Sequence, residues 1–342
     1  MDLGKELSTE GLVAALKAAA EPTRLRILLL LSAGELNVKD LTVVLGQSQP
    51  RISRHLKLLV EAQLIERFRE GSWVYFHISD RSGGGRLALK LLATLNADDA
   101  AVMRDRERAD ALKRERETAS QGYFESHAAE WDHIRALHIS ETDVETAMRD
   151  ALGPGPFKFL LDLGTGTGRT LELFNGRYAR GLGIDVNHAM LTYARARLAK
   201  SGCTAAQVRH GDIYALSIAD RQADAIVMHQ ILHFLSDPAL AVREAARALA
   251  PGGKLLIVDF APHDLEYLRE TQAHERLGFT HACVEQWLVE SGLQTTGVCD
   301  LAPKQNQSEA GKLTVSLWLA ERASAPRSVV ATHSSKSFEE AR

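Results

Sequence analysis

The sequence predicts a two-domain α/β protein, in which short helices and one β-hairpin precede a doubly wound, largely parallel sheet. Up to about residue 78, helical patterns are followed by two alternating strands. From Phe157 onward, short apolar strands alternate with helices. The length of 342 residues is long for one hydrophobic core and sufficient for two.

Composition and charge limit the class of protein. With 45% hydrophobic and 25% charged residues, the chain resembles soluble globular proteins. A formal net charge of -3 excludes a uniformly basic nucleic-acid binder, so any DNA contact must come from a local patch. Three scattered cysteines, Cys203, Cys283 and Cys299, favour a reducing compartment without disulfides. We expect a cytoplasmic protein that does not contact the membrane, because the sequence starts without a signal peptide and its longest apolar run, Ile27–Leu31, is short.

Four helices, a hairpin and a connecting segment are predicted before the second domain. The helices are marked by Leu12, Leu16 and Ala19, by EPTRLRILLLLSAG with Pro22 in its first turn, by VKDLTVVLG ending at Gly46, and by QPRISRHLKLLVEA with Ser48 as its N-cap. LIERF and WVYFHI form the hairpin around EGS. Ser82–Gly85 reads as a flexible joint, and Asp98–Glu117 reads as a solvated, mixed-charge connecting helix.

The fourth helix combines an apolar face with a polar, basic face. The apolar face consists of Ile52, Leu56 and Leu59, and the polar face consists of Gln49, Arg51, Ser53, Arg54, His55 and Lys57. Such a helix places side chains on base edges and cations on phosphates, and Arg67 and Arg69 in the hairpin are expected to meet the DNA backbone. Any amphipathic helix has a polar face, so the interpretation depends on the order of helices and hairpin.

Residues from about Leu12 to Ile78 resemble the ArsR/SmtB family of winged-helix repressors, through AAAEPTRLRILLLL and LGQSQPRISRHLKLLVEAQLIERFREGSWVYFHI. The resemblance implies a homodimer, paired through its terminal helices, on double-stranded DNA with an inverted-repeat operator. Its two recognition helices would lie roughly 34–36 Å apart. Metalloid-sensing members carry cysteines in the third-helix region, whereas this chain has Asn37 and Lys39 there and no thiol, which argues against metalloid sensing.

Polar and glycine residues follow the predicted strands of the second domain. FLLDLGTGTGRT contains Asp162, Gly164, Thr165, Gly166 and Gly168; Asp185 and Val186 end GLGIDV; Asp212 and Ile213 follow AQVRHG; and His229 and Gln230 end ADAIVMHQ. A glycine turn allows close ligand approach, and the carboxylate of Asp185 is suited to ribose hydroxyls. Each residue has a structural alternative as a tight loop, a helix cap or a turn. Their order at strand ends favours a ligand site.

From about Tyr123 to Glu321 the chain resembles class I S-adenosylmethionine-dependent methyltransferases, through the glycine motif, Asp185, the GD of HGDIYAL and the PGG of ALAPGGKLLIVDF. The resemblance implies a seven-stranded sheet with an antiparallel last strand and S-adenosyl-L-methionine over the strand ends. YFESHAAEWD resembles the lid of these enzymes, so Tyr123, Phe124 and Trp131 either cover the cofactor or pack as core. The arsenite-methylating branch relies on cysteines in the lid and around strand four; here YFESHAAEWD and MHQILHFL contain none, which disfavours arsenic methylation.

Histidines of the second domain are candidates for chemistry. His229 ends the fourth strand and is either a catalytic base for methyl transfer or a hydrogen-bonded wall residue. His233 also falls near the expected cleft. His263 and His274, with Glu270 between them, have helical spacing and indicate either a metal or acceptor site or, more often, a polar helix face. We therefore predict no metal.

Two functions remain open at this stage. The predicted arrangement is a winged helix-turn-helix (α+β) domain over 1–95, a charged helical linker over 96–120, a Rossmann-like methyltransferase domain over 121–322 and a disordered tail over 323–342. The first function is a transcriptional regulator that responds to S-adenosylmethionine or S-adenosylhomocysteine. The alternative is an active methyltransferase for a small-molecule acceptor with an accessory DNA-binding domain. No catalytic motif or acceptor pocket is legible, which favours sensing.

Overall fold

A computed structural model describes residues 6–70, 73–79, 82–96, 98–131, 141–302 and 313–324. Their helices are α1 (Thr9–Ala19), α2 (Pro22–Ser32), α3 (Val38–Leu45), α4 (Gln49–Glu61), α5 (Gly83–Leu92), α6 (Ala100–His127), α7 (Glu141–Leu152), α8 (Arg169–Leu173), α9 (His188–Lys200), α10 (Pro238–Ala248), α11 (Tyr267–Thr271) and α12 (His281–Glu290). Their strands are β1 (Leu36–Asn37), β2 (Glu66–Glu70), β3 (Trp73–His77), β4 (Phe157–Leu163), β5 (Tyr178–Asp185), β6 (Ala206–His210), β7 (Ala223–His229), β8 (Leu249–Phe260), β9 (Leu293–Leu301) and β10 (Val315–Arg322).

The N-terminal elements form a winged helix, as predicted. A three-stranded sheet has the order β1-β3-β2, with the short strand β1 added to the predicted hairpin. The side chain of Asn37 caps α3 through the amide of Asp40, and the helix ends at Gly46 with φ 63°. Ser48 is the N-cap residue of α4, as predicted, although its side chain makes no capping hydrogen bond. Pro50 has no amide hydrogen to be capped in that first turn.

The glycine run after the hairpin is helical, so the predicted flexible joint at Ser82–Gly85 is wrong. The hydroxyl of Ser82 accepts a hydrogen bond of 2.9 Å from the amide of Gly85 and caps α5. A Cβ atom on Gly84 would lie 2.1 Å from the carbonyl oxygen of Gln63, and one on Gly85 would lie 1.9 Å from that of Ser79. These glycines therefore allow close backbone packing, which sequence alone does not distinguish from flexibility.

The mixed-charge segment forms the first part of α6, a single helix of 28 residues that continues past the predicted linker boundary at residue 120. It is not solvated all round. Val102 and Asp105 are buried, and the helix packs against α2 and α3. Asp105 accepts two hydrogen bonds from Arg26, at 2.5 and 2.6 Å. The division of the chain into domains stays a prediction.

The C-terminal elements form a seven-stranded sheet of order β6-β5-β4-β7-β8-β10-β9. Strands β4 to β8 are parallel, and β10 runs antiparallel to both β8 and β9. Two hydrophobic clusters cover the two faces, one with residues of α10 and α12 and the other with residues of α7, α8 and α9. The predicted doubly wound sheet with one antiparallel strand is confirmed.

Of two further predictions, one is wrong and the other concerns residues that the structure largely does not describe. A continuous helix from His263 to His274 is wrong, because α11 covers Tyr267–Thr271 only and the two histidines flank it. The predicted disordered tail lies outside the described residues, apart from Ala323 and Ser324. Among the described residues, none of the helices has the length and apolar character needed to cross a membrane.

Candidate functional site

The turn after β4 is built from glycines in left-handed backbone conformations. Gly164, Gly166 and Gly168 have φ values of 70°, 50° and 79°. A Cβ atom on Gly164 would lie 2.4 Å from the side chain of Ile231, so no other residue fits there. The hydroxyl of Thr165 donates a hydrogen bond of 2.6 Å to the carboxylate of Asp162, which is buried below the turn. This turn is therefore a rigid backbone cradle at the carboxyl end of β4.

Asp185 ends β5 and holds the glycine turn in place. One carboxylate oxygen accepts a hydrogen bond of 2.8 Å from the amide of Gly166, and the other accepts one of 2.8 Å from the amide of Asn187. Asn187 itself caps α9 through the amide of Met190, so the simple helix-cap alternative for Asp185 is wrong. Burial raises the pKa of Asp185, although backbone hydrogen bonds from Asn187, Gly166 and Val186 oppose this rise.

Asp212 and Ile213 follow β6 at the same edge of the sheet. Asp212 accepts a hydrogen bond of 2.8 Å from the amide of Tyr214, as the turn alternative required. Both residues also line a cavity with Gly164 and Asp185. The parallel strands bring these carboxylates and the glycine turn together, as predicted.

Two adjoining cavities form a cleft over the strand ends, and we call it the strand-end cleft. Both cavities are lined by Phe124, Gly164, Asp185, Val186, Ile231 and Phe234. The first cavity adds Ser120, Gln121, Gly211, Asp212, Ile213, Tyr214, Leu235 and Ser236. The second cavity adds Trp131, Thr165, Gly166, Thr167, Thr170, Met190, His229 and Gln230. All the predicted cofactor-binding residues except Asp162 and Gly168 therefore line one cleft, and those two support its glycine turn.

Three aromatic rings pack at one side of the strand-end cleft. Phe124 lies edge-on to Trp131 at 5.2 Å and to Phe234 at 4.8 Å between ring centroids. Tyr123 lines neither cavity and stacks on His127 at 4.3 Å. Of the three predicted lid aromatics, the structure thus brings Phe124 and Trp131 to the cleft and leaves Tyr123 beside it.

The four predicted histidines occupy different places. His229 lines the second cavity of the cleft. His233 is buried, and its Nδ1 atom lies 2.7 Å from a carboxylate oxygen of Asp259, which is also buried. His274 packs against His233, whereas His263 lines a separate cavity next to the wing. Within the described part of the chain, no group of three or more His, Cys, Asp or Glu side chains has an arrangement that could hold a metal ion.

Helix α4 presents the predicted polar face. Ile52, Leu56 and Leu59 are buried, whereas Gln49, Arg51, Ser53, Arg54 and Lys57 are exposed. His55 is half-buried, and its Nδ1 atom lies 3.6 Å from a carboxylate oxygen of Glu21. Burial lowers the pKa of His55, which favours the neutral ring at this position. Arg69, predicted to contact phosphate, lines the cavity between the wing and residues 262–264 and 276–280.

Two residues that α6 contributes to the cleft, Ser120 and Gln121, were missed from the sequence, whereas Phe124 on the same helix was predicted. They lie three and four residues after Glu117, the last residue of the mixed-charge run, and no motif marks them. Phe234 and Leu235 were also missed, although they follow closely on His229. The one available signal was the end of the charge run at Glu117.

The fold and the cleft define the class: a winged-helix domain joined to a Rossmann-like domain of the methyltransferase type. The family described as "Bacterial regulatory protein, arsR family" matches residues 21–67, and the family described as "Methyltransferase domain" matches residues 161–257. Residues 21–67 therefore match an ArsR-type DNA-binding domain, and residues 161–257 match a methyltransferase domain.

Two relatives illustrate these similarities. The arsenical resistance operon repressor of Escherichia coli is 53% identical over 64 residues, which cover 18% of this chain and 55% of the repressor. The uncharacterized methyltransferase YcgJ of Bacillus subtilis is 32% identical over 106 residues, covering 31% of this chain and 42% of YcgJ. The solved structure of YcgJ has a TM-score of 0.47 at 19% identity and covers 54% of this chain and 100% of that chain. The chain thus spans only about half the length of these two curated relatives.

Proposed function

We propose that this protein is a transcriptional regulator that binds operator DNA through α4 and binds S-adenosylmethionine or S-adenosylhomocysteine in the strand-end cleft as its signal. The observation that carries the proposal is the convergence of Gly164, Asp185, Asp212 and Ile213 on one cleft. This cleft lies next to α6, which also packs against the winged helix.

The cleft residues fit an adenosyl ligand by their chemistry. The left-handed glycine turn allows the backbone to approach a ligand closely, and at Gly164 a Cβ atom would collide with Ile231. Asp185 supplies a buried carboxylate for the ribose hydroxyls, and Ile213 supplies an apolar surface for the adenine ring. Bound S-adenosylmethionine would supply a methyl group on a positively charged sulfur.

The DNA-binding part rests on the exposed basic face of α4. Arg51, Arg54 and Lys57 are exposed on a helix whose opposite side is buried in the winged-helix core. A homodimer is supported by apolar side chains on α1 and α5, where Leu12, Leu16 and Leu89 are 39%, 42% and 37% exposed. A second copy of the chain on an inverted-repeat operator would bury these side chains.

An active small-molecule methyltransferase is the second candidate. The observation that favours it is the position of His229, which lines the second cavity together with Phe124 and Trp131. An imidazole nitrogen there would accept a proton from an acceptor group held against the aromatic rings. The acceptor remains unassigned, and a product assay with tritiated S-adenosylmethionine tests this candidate.

A gel-shift titration on a duplex from the upstream region of the gene tests the main proposal. Binding should depend on the presence of S-adenosylmethionine or S-adenosylhomocysteine, with each ligand tested separately. Calorimetry without DNA should detect binding of at least one of the two ligands. A protein that binds neither ligand, or whose shifted band ignores both, would contradict the regulatory proposal.

A further inference from the structure

Helix α6 connects the winged helix to the strand-end cleft through one continuous face. Residues four apart lie on the same side of a helix, so Leu112, Arg116, Ser120 and Phe124 form one stripe. The N-terminal part of α6 lies against the winged helix, where Leu112 packs on its core and Arg108 donates a hydrogen bond of 3.2 Å to the carbonyl of Val44. The C-terminal part of the stripe lines the cleft through Ser120 and Phe124.

Ser120 has the features of a ligand contact. Its residue is only 8% exposed, it lines the first cavity, and no described residue forms a hydrogen bond with its hydroxyl. A buried hydroxyl without a partner is costly, which a polar group of a bound ligand would relieve. The next residue, Gln121, is fixed by its carbonyl, which accepts a hydrogen bond of 3.2 Å from the side-chain amide of Asn187, two residues after Asp185.

Arg116 lies one turn before Ser120 and binds both domains. It donates hydrogen bonds to the carboxylate of Asp40 on α3, the helix that precedes the recognition helix. It also lies 3.6 Å from a carboxylate oxygen of Glu275. Burial opposes the charge on Arg116, but the carboxylates of Asp40 and Glu275 raise its pKa overall, so the guanidinium is charged.

A second connection starts at the opposite wall of the cleft. The carbonyl of His233, next to Phe234, accepts hydrogen bonds of 2.9 and 3.0 Å from the amides of Glu275 and Arg276. The guanidinium of Arg276 lies 3.0 Å from a carboxylate oxygen of Glu35 and 4.2 Å from the centre of the Tyr75 ring in the wing. We call Glu35, Asp40, Arg116, Glu275 and Arg276 the interdomain ion-pair cluster.

Breaking a largely buried ion pair of this kind costs much free energy. The Asp40 and Arg276 side chains are 2% and 4% exposed, so water would compensate poorly for a broken pair. A shift of α6 by a ligand at Ser120 must therefore either be followed by α3 or break the pair with Asp40. A displacement at the cleft would therefore reach the winged helix through α6.

We infer that α6 transmits the ligand state of the strand-end cleft to the recognition helix, with Ser120 as the ligand contact and Arg116 as the residue that moves α3. The inference rests on the proposed function, since it requires an adenosyl ligand and an operator. By thermodynamic linkage, DNA binding must change ligand affinity by the same factor as ligand changes DNA affinity.

The test compares Arg116→Gln with Arg114→Gln in the full-length protein. Arg114 is an exposed arginine on the same helix and is the matched control. Operator affinity is measured by fluorescence anisotropy with and without saturating S-adenosylhomocysteine, and again with S-adenosylmethionine. In the wild type and in Arg114→Gln, ligand should change operator affinity by at least about fivefold. In Arg116→Gln the change should fall below about twofold, while ligand affinity without DNA stays at the wild-type value.

The outcomes separate the inference from the proposed function. Absence of ligand binding in the wild type would reject the proposed function and the inference together. A folded Arg116→Gln protein that binds the ligand and shows the same ligand-induced change in operator affinity as the wild type would overturn the inference but not the proposed function. If that variant does not fold, Glu275→Gln replaces it with the same expectation. Hydrogen exchange of wild-type α3 provides an independent readout, and amides there that ignore the ligand would also overturn the inference.

Discussion

Asp185 illustrates how one side chain serves both the fold and the site. Its carboxylate accepts amide hydrogen bonds from Gly166 and Asn187, and thereby joins the glycine turn to the start of α9. A carboxylate has lone pairs beyond those two bonds, which are available to ribose hydroxyls. Burial disfavours the charged form of Asp185. The folded protein therefore already bears the free-energy cost of desolvating this carboxylate before any ligand binds.

Replacing Asp185 by Ala should weaken binding of S-adenosylhomocysteine by at least about tenfold, because hydrogen bonds to a charged acceptor contribute about 1.5–3 kcal/mol each. Isothermal titration calorimetry measures the effect. Asp224→Ala is the matched control, since Asp224 accepts a hydrogen bond of 2.8 Å from the amide of Phe159 at the opposite end of the strands. Unchanged affinity in a folded Asp185→Ala protein would remove Asp185 from the site.

The raised pKa of Asp185 predicts two opposite effects of acid. Ligand affinity should fall as the pH drops through this raised pKa, because the protonated carboxyl accepts hydrogen bonds less well. The contribution of Asp185 to the free energy of unfolding should instead rise, since the folded state binds the proton more tightly than the unfolded state. Calorimetry and thermal melting against Asp185→Ala at each pH measure the two effects. Changes of the same sign would contradict the assignment.

At the scale of elements, glycine at the start of α5 is a packing requirement. Gly84→Ala should lower the free energy of unfolding by about 1–3 kcal/mol or more, because its Cβ would overlap the carbonyl of Gln63. Gly122→Ala in α6 is the control, since a Cβ there meets nothing within 4 Å, and it should stabilise by roughly 0.5–1 kcal/mol. Thermal melting checks both. If Gly84→Ala leaves the free energy of unfolding unchanged, the start of α5 can shift to accommodate a Cβ atom, which would contradict the packing requirement.

The helix α4 carries the DNA prediction. Arg54→Ala should weaken operator binding and reduce the salt slope by about 1, if Arg54 meets a phosphate, while ligand affinity without DNA is unchanged. The reason is that Arg54 is exposed on α4 and lines neither cavity of the cleft. Anisotropy at several salt concentrations measures it, with exposed Arg195→Ala on α9 as the control. An equal loss of operator affinity in Arg54→Ala and Arg195→Ala would contradict the prediction that α4 is the DNA-binding surface.

At the scale of the whole molecule, the apolar faces of α1 and α5 predict self-association. Leu16→Glu should convert a dimer into a monomer, because a charge at a buried interface position is costly to desolvate. Sedimentation equilibrium measures the mass. Val289→Glu on α12 is the control, as Val289 is 57% exposed on the other domain. A wild-type protein that sediments as a monomer would contradict the prediction.

The sequence predicted the winged helix, the order of strands and helices, and about half of the residues that line the cleft. These features follow from local patterns: apolar periodicity, proline and glycine at helix ends, and polar residues directly after buried strands. Ser82–Gly85 was mistaken for a joint, because glycine permits both flexibility and close packing. Ser120 and the ion pair of Arg116 with Asp40 went unnoticed, because neither follows from a local pattern.

What the sequence determined by itself was therefore the two folds and the chemistry at the strand ends, since parallel strands bring their carboxyl ends to one edge wherever they occur. Only the tertiary structure decided how the two domains meet. Arg116 and Asp40 lie 76 residues apart in the chain, and their contact depends on the packing of α6 against α3. Charged residues in a helix look solvated in sequence, and burial of their partners becomes visible only when the two domains are packed together.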